Sequence, residues 1–262
     1  MVILPAVAMV FYAVALILVT SRLFHPEGPN RKLVTIFAAI GVVLHAFALY
    51  PAIFTDHGQN FSLTNVISMV CWIIALTFTI VMPHIRVIVL VPVVFACSII
   101  GVALLWLVPP QYILHFGQHP EVLVHVVLSL MAYSTLLIAA LYAVQLMFIQ
   151  NKLKKKQPLM THAIPPLLTV EKQLYHLVII GLILLSLALA TGFIFMDSMF
   201  ASGQGHKAVL SIIAWFVYIA MLWQQYTVGC RIKTAVVYTI SGAVLLSLAY
   251  FGARAVKELI LN

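Results

Sequence analysis

Residues 121–150 read EVLVHVVLSLMAYSTLLIAALYAVQLMFIQ and set one histidine, His125, inside an apolar run long enough to cross a bilayer. At ~1.5 Å of rise per residue, about 20 residues cover the ~30 Å hydrocarbon core. His125 therefore lies one turn below the entry point at Glu121. Counted in fours along a helix, His125, Ser129 and Tyr133 fall on one side and form a thin polar stripe. Such a stripe turns inward, away from lipid. An ionisable group within a span is a candidate functional residue, and a neutral imidazole with a free edge is a good ligand for haem iron. The structural alternative is a histidine that only hydrogen-bonds a neighbouring helix.

Composition carries the same conclusion to the whole chain. Hydrophobic residues make up 64% of 262 and charged residues 8%, and mean hydropathy is +1.15, far from the balance of soluble domains. The chain reads as a polytopic, all-α membrane helix bundle forming one domain, 1–262. The net charge of +8 does not indicate nucleic-acid binding, because the basic residues stand mostly in short loops beside apolar spans, where they set orientation. Cys71, Cys97 and Cys230 have no CxxC spacing and fall in no loop assigned to the outer side, so no disulfide frame is expected. The absence of C-x-x-C-H excludes a c-type cytochrome.

Eight spans are expected, at about 2–20, 33–53, 65–82, 87–108, 121–150, 171–196, 207–227 and 234–256. Charges follow the first span but none precede it, as in an uncleaved anchor with its N-terminus outside. Pro92 predicts a kink in the fourth span. The loop TDHGQNFSLT (55–64) has no Lys or Arg, and QYILHFGQHPE (111–121) begins with apolar residues suited to the outer interface. The longest interruption is NKLKKKQPLMTHAIPPLL (151–168), with Lys152, Lys154, Lys155 and Lys156 close together. It is read as the main cytoplasmic loop, facing anionic headgroups. With both termini extracytoplasmic, eleven of the fourteen Lys and Arg residues fall inside, and only Lys207, Arg254 and Lys257 fall outside.

On this layout His45 lies in the outer half of the second span, ~6 Å deeper than His125 by helical rise, so the two are expected to share a pocket. His206 opens the seventh span from the outer side, and His57, His115 and His119 fall in outer loops as solvated residues. His176 reads as an interfacial residue. The cluster from Trp215 to Trp223 is the candidate platform for a flat ring.

Three blocks carry a likeness to a known family: VLHAFALYPAIFTDHGQNFSLTNVISMVCWIIAL (43–76), VHVVLSLMAYSTLLIAALYAVQ (124–145) and SIIAWFVYIAMLWQQYTVGCRIKTAVVYTISGAVLLSLAYFG (211–252). Their order and spacing resemble the CcsA and CcmC superfamily of haem-handling cytochrome c assembly membrane proteins, most of all its small inner-membrane YpjD-type branch. The resemblance implies an eight-helix bacterial inner-membrane protein that presents haem at its outer face for cytochrome c maturation. His125 matches the family histidine that precedes the outer loop, and His45 matches a histidine before a polar Ser-Asn loop. The tryptophan-rich signature of the larger members is missing from MDSMFASGQGHKAVLSIIAWF (196–216), and Trp223 stands where they have a histidine. The chain stops at Asn262, about where a further family histidine is expected. These departures imply an accessory haem-binding or haem-escorting protein rather than a complete haem lyase. His125 and His45 are the expected iron ligands, with Lys207 and Arg254, beside His206, as the cations for haem propionates. Expected partners are the bilayer, haem, and cytochrome c maturation or other inner-membrane proteins. The competing reading is a haem-free structural or regulatory subunit of another inner-membrane complex.

Overall fold

Each apolar run of the sequence becomes a helix in the computed structural model of the protein, which describes residues 3–23, 25, 27–55, 58–85, 89–107, 113–114, 120–156, 165–195 and 205–252. The α-helices are α1 (Ile3–Thr20), α2 (Arg31–Ile53), α3 (Leu63–Val81), α4 (Val91–Leu107), α5 (Pro120–Lys154), α6 (Leu167–Phe195), α7 (Gly205–Thr227) and α8 (Ile232–Ser247), and α8 runs into a π-helical turn at Leu248–Gly252. Seven of these segments are long and apolar enough to cross a membrane, α8 being counted together with its π turn. The chain is a multi-pass membrane protein.

Two spans differ from their expected form. The fourth, expected at 87–108 with a kink, is the 17-residue α4, shorter than the seven segments long enough to cross. Pro92 is its second residue, where a missing N–H costs nothing and the fixed φ suits the first turn, so the proline opens the helix instead of bending it. α5 is 35 residues long, about 52 Å at ~1.5 Å per residue, and takes in the first residues of the stretch read as a loop. Lys152 and Lys154 stand in its last turn, where cations suit the dipole, and Lys156 ends the run at φ 52°.

The all-α class holds, with three very short strands beside the helices. TDHGQNFSLT, with Phe54 before it, contributes β1 (Phe54–Thr55) and β2 (Gly58–Asn60). They pair antiparallel, with Phe54 opposite Gln59 and Thr55 opposite Gly58. Gly58 takes φ +128°, a conformation suited to glycine, and the Thr55 hydroxyl donates to its carbonyl at 2.7 Å. Ile113–Leu114, from the loop expected along the outer interface, is β3 and pairs with β2. Asn65 joins the hairpin to α2 by donating to the carbonyls of Ala52 at 3.0 Å and Asn60 at 3.1 Å.

The backbone divides into two compact units. The first comprises Met1–His115 with Gln157–Pro166, and the second Phe116–Lys156 with Leu167–Asn262. In the first, α1 packs on α2 and α4, and α3 on α2 and α4; in the second, α5 packs on α6 and α8, and α7 on α6, α8 and the π turn. Lipid offers no hydrophobic drive for helix association, so close contact depends on small residues. Gly181 on α6 shows the effect, because a Cβ there would meet Leu136 Cδ2 of α5 at 2.5 Å.

Candidate functional site

The two histidines expected to act together are placed in different units, and their surroundings differ in kind. His125 belongs to the second. Its Nδ1 is 2.9 Å from the carbonyl oxygen of Ala188 and 3.3 Å from Thr191 Oγ1, both on α6. A carbonyl only accepts, so Nδ1 carries the proton, and in the neutral ring the lone pair is on Nε2. The Thr191 hydroxyl donates to the carbonyls of Leu187 and Ala188, each at 2.9 Å, which leaves its oxygen free to accept from Nδ1. The small residues Ala188 and Gly192 are both buried on α6.

Nε2 faces Ser129 Oγ at 3.5 Å, the long limit of a hydrogen bond. One turn further along α5, the Tyr133 hydroxyl meets Ser247 Oγ at 2.9 Å. Ser247 already donates to the Ala243 carbonyl at 2.8 Å, so Tyr133 is the donor. The Tyr133 ring lies 5.1 Å from that of Tyr250 and 5.6 Å from that of Phe251. The stripe His125, Ser129, Tyr133 read from the sequence is thus a connected side of α5, turned to α6 and α8. His125 itself is half-buried.

His45 belongs to the first unit and is fully buried, at 0% exposure. Its Nε2 is 2.9 Å from Ser68 Oγ on α3, and its Nδ1 is 3.3 Å from the Tyr12 hydroxyl on α1. Gly41, one turn earlier on α2, makes room for the tyrosine: a Cβ there would stand 3.2 Å from Tyr12 Cδ1 and Cε1. Both nitrogens of His45 are therefore engaged by hydroxyls, whereas His125 has one nitrogen held by a backbone carbonyl and the other barely held.

The remaining expected residues sort plainly. His206 is exposed on the first turn of α7, and Lys207 beside it is partly buried. Arg254, His57, His115 and His119 lie outside the described residues, and His176 is exposed on α6. The tryptophan platform is not assembled as one face. Trp215 Nε1 donates to Ser186 Oγ on α6 at 2.8 Å, while Trp223 is 72% exposed. The rings gathered on this side of α5 are those of Tyr250 and Phe251 around Tyr133. Sequence reasoning missed Thr191, Tyr12, Ser68 and Tyr250; the only signal for each was a hydroxyl within an apolar span.

Among the described residues, no group of three or more His, Cys, Asp or Glu is arranged to hold a bare metal ion. Iron in a porphyrin asks less, because the macrocycle supplies the equatorial donors and the protein only an axial one. An imidazole whose Nδ1–H is fixed by a carbonyl, with its Nε2 lone pair outward, suits that role, since an outer partner sets both the tautomer and the basicity of a ligating histidine.

A family profile described as Cytochrome C assembly protein matches residues 33–261. The chain belongs to the cytochrome c assembly protein family. Among its relatives is the inner membrane protein YpjD of Escherichia coli strain K12, 44% identical over 255 residues, which cover 97% of this chain and 97% of that protein. The YpjD of Escherichia coli O157:H7 has the same identity and coverage. An uncharacterized 28.8 kDa protein of Azospirillum brasilense is 27% identical over 141 residues, covering 53% of this chain and 52% of that one. No solved structure matches. Together with the apolar helices, these likenesses make this member of the cytochrome c assembly family a multi-pass inner-membrane protein.

Proposed function

We propose that this protein binds haem as cargo and presents or escorts it at the extracytoplasmic face of the inner membrane, as an accessory to cytochrome assembly rather than a haem lyase. The observation that carries the reading is the protonation of His125. Its Nδ1–H is committed to the Ala188 carbonyl at 2.9 Å, so the Nε2 lone pair faces away from α6 and is available to iron. Bound haem would supply the redox-active iron; the protein supplies one basic nitrogen, low-dielectric helix walls and an aromatic edge from Tyr133 and Tyr250. Membership of the cytochrome c assembly family supports haem as the cargo.

The positive-inside distribution of Lys and Arg supports eight crossings with both termini outside, and with them a position for His125 near the outer surface; the whole chain, 1–262, is proposed to act as one membrane domain. Lys207, next to His206 in the sequence, and Arg254 are the cations proposed for the propionates. His45 was expected as a second iron ligand, but its two hydroxyl partners support a structural role, and the proposal rests on His125 alone. The test is an optical titration of the purified protein with haemin. A Soret band that forms with the wild type and is lost in His125→Ala is the expected outcome. A wild type that gives no Soret absorbance with ample haemin, or an unchanged band in the variant, overturns the assignment.

A further inference from the structure

A threonine within a helix commonly donates its hydroxyl to the carbonyl four residues earlier, and this chain follows the habit: Thr35 donates to Arg31, Thr77 to Ile73, Thr79 to Ala75 and Thr135 to Met131, at 2.7–2.8 Å. Thr191 donates in the same way to Leu187, at 2.9 Å. A hydroxyl has one proton and two lone pairs. With its proton held inside α6, Thr191 acts toward a neighbouring helix as an acceptor. What faces it is Nδ1 of His125 at 3.3 Å, while the same nitrogen lies 2.9 Å from the Ala188 carbonyl oxygen. The two oxygens are themselves 2.9 Å apart, so they sit side by side and the Nδ1 proton points between them. One N–H shared by two acceptors is a three-centre bond. A single carbonyl would let the ring swing about its hydrogen bond, whereas two oxygens at fixed places on one helix also set the direction of the ring.

We propose that Thr191 is a positioning residue for His125: its hydroxyl oxygen shares the Nδ1 proton with the Ala188 carbonyl, fixes the direction in which Nε2 points, and makes that nitrogen a stronger donor to ferric iron. The inference rests on the haem-binding reading for the identity of the ligand, but the hold on Nδ1–H does not depend on it. The electronic part follows from the ring. Drawing the Nδ1 proton toward acceptors moves electron density to Nε2, and ferric iron, with its greater charge, gains more from that density than ferrous iron. The Thr191 proton, held by Leu187, polarises its own oxygen in the same sense.

The experiment uses the full chain in detergent with isotope-labelled histidine, as wild type, as Thr191→Val, which keeps the shape without the hydroxyl, and as Thr191→Ser, which keeps the hydroxyl. In the haem-free protein the magnetic-resonance signal of the His125 Nδ1–H, assigned by its loss in His125→Ala, is followed for exchange with water. Thr191→Val is expected to speed that exchange by roughly three- to tenfold, the range of one net hydrogen bond, with Thr191→Ser close to the wild type. Haemin titration and a redox titration of the bound iron form the second arm. Affinity for haemin should fall by the same roughly three- to tenfold in Thr191→Val while that for ferrous haem stays nearly unchanged, which raises the reduction potential by ~30–60 mV at ~59 mV per tenfold. A helix merely loosened would lose both affinities alike and leave the potential in place. Unchanged exchange in Thr191→Val overturns the proposal, and so does Thr191→Ser exchanging as fast as Thr191→Val, because the hydroxyl would not be the cause. Faster exchange with an unmoved potential overturns the effect on iron. A wild type that gives no Soret band sinks the haem reading, and the exchange rates then decide the hold on Nδ1–H by themselves.

Discussion

Changing His45 to alanine separates a structural histidine from an iron ligand, and the structure sets the size of the effect. The ring is fully buried and joins α1 to α3 through Tyr12 at 3.3 Å and Ser68 at 2.9 Å. Interhelical hydrogen bonds within membranes average ~0.6 kcal/mol and reach ~1.7 kcal/mol, so losing two costs about 1–2 kcal/mol. Ser68 can turn to its own helix, as Ser98 does by donating to the Val94 carbonyl at 2.8 Å. Tyr12, with 0% exposure, has no such retreat. A buried hydroxyl left without a partner costs roughly 1–3 kcal/mol, and the vacated ring volume adds to that. The total is about 2–5 kcal/mol, which lowers the thermal midpoint in detergent by about 4–20 °C at ~2–4 °C per kcal/mol. Tyr12→Phe in the same background removes the orphan and should return ~1–2 kcal/mol, a coupling that a cycle of the two single variants and the double variant measures. The haem spectrum of the folded fraction should be that of the wild type. A midpoint unchanged within about 1 °C refutes the reasoning. So does a shift from six- to five-coordinate haem that added imidazole reverses, because His45 would then be a ligand of the iron.

Three further outcomes test the fold and its orientation. A reporter active only outside the cytoplasm should be active when fused after Asn262 and silent within 151–158; the reversed pair of results overturns the layout. Changing Lys154, Lys155 and Lys156 together to Gln should lower the abundance of inserted protein while leaving the haem spectrum alone, and a lost Soret band at normal abundance contradicts this. Gly242→Ala should lower the thermal midpoint through ~1–3 kcal/mol of overpacking, because its Cβ would sit 2.5 Å from Cζ of the fully buried Tyr218; an unchanged midpoint would show that the α7–α8 contact yields without cost.

The helices were legible because the bilayer enforces them: a chain with 64% hydrophobic residues cannot leave backbone groups unpaired in hydrocarbon. Their ends were less legible where one residue has two uses. Pro92 inside an apolar run reads as a kink, yet at the second position of α4 it is a favourable start. The basic residues after Gln150 read as a loop because charge suggests water, but lysine is a good helix former and Lys152 and Lys154 complement the end of α5. The short strands at 54–60 and 113–114 had little signal, since pairs of two or three residues carry no periodicity.

The site was legible to the extent that it lies on one helix. His125, Ser129 and Tyr133 follow from counting in fours, and the structure shows that their side of α5 meets α6 and α8. What counting cannot supply is the partner across the gap. The Ala188 carbonyl has no side-chain signal at all, yet it decides which nitrogen of His125 is free. Depth along a span, used to place His45 beside His125, measures one coordinate and says nothing of which helices surround a residue. His45 met two hydroxyls on α1 and α3, and His125 met a carbonyl on α6. A hydroxyl donates or accepts and leaves the tautomer open, while a carbonyl only accepts and fixes it. That difference in partner chemistry is why the proposed function is assigned to His125 and a structural role is proposed for His45, two histidines with similar sequence credentials.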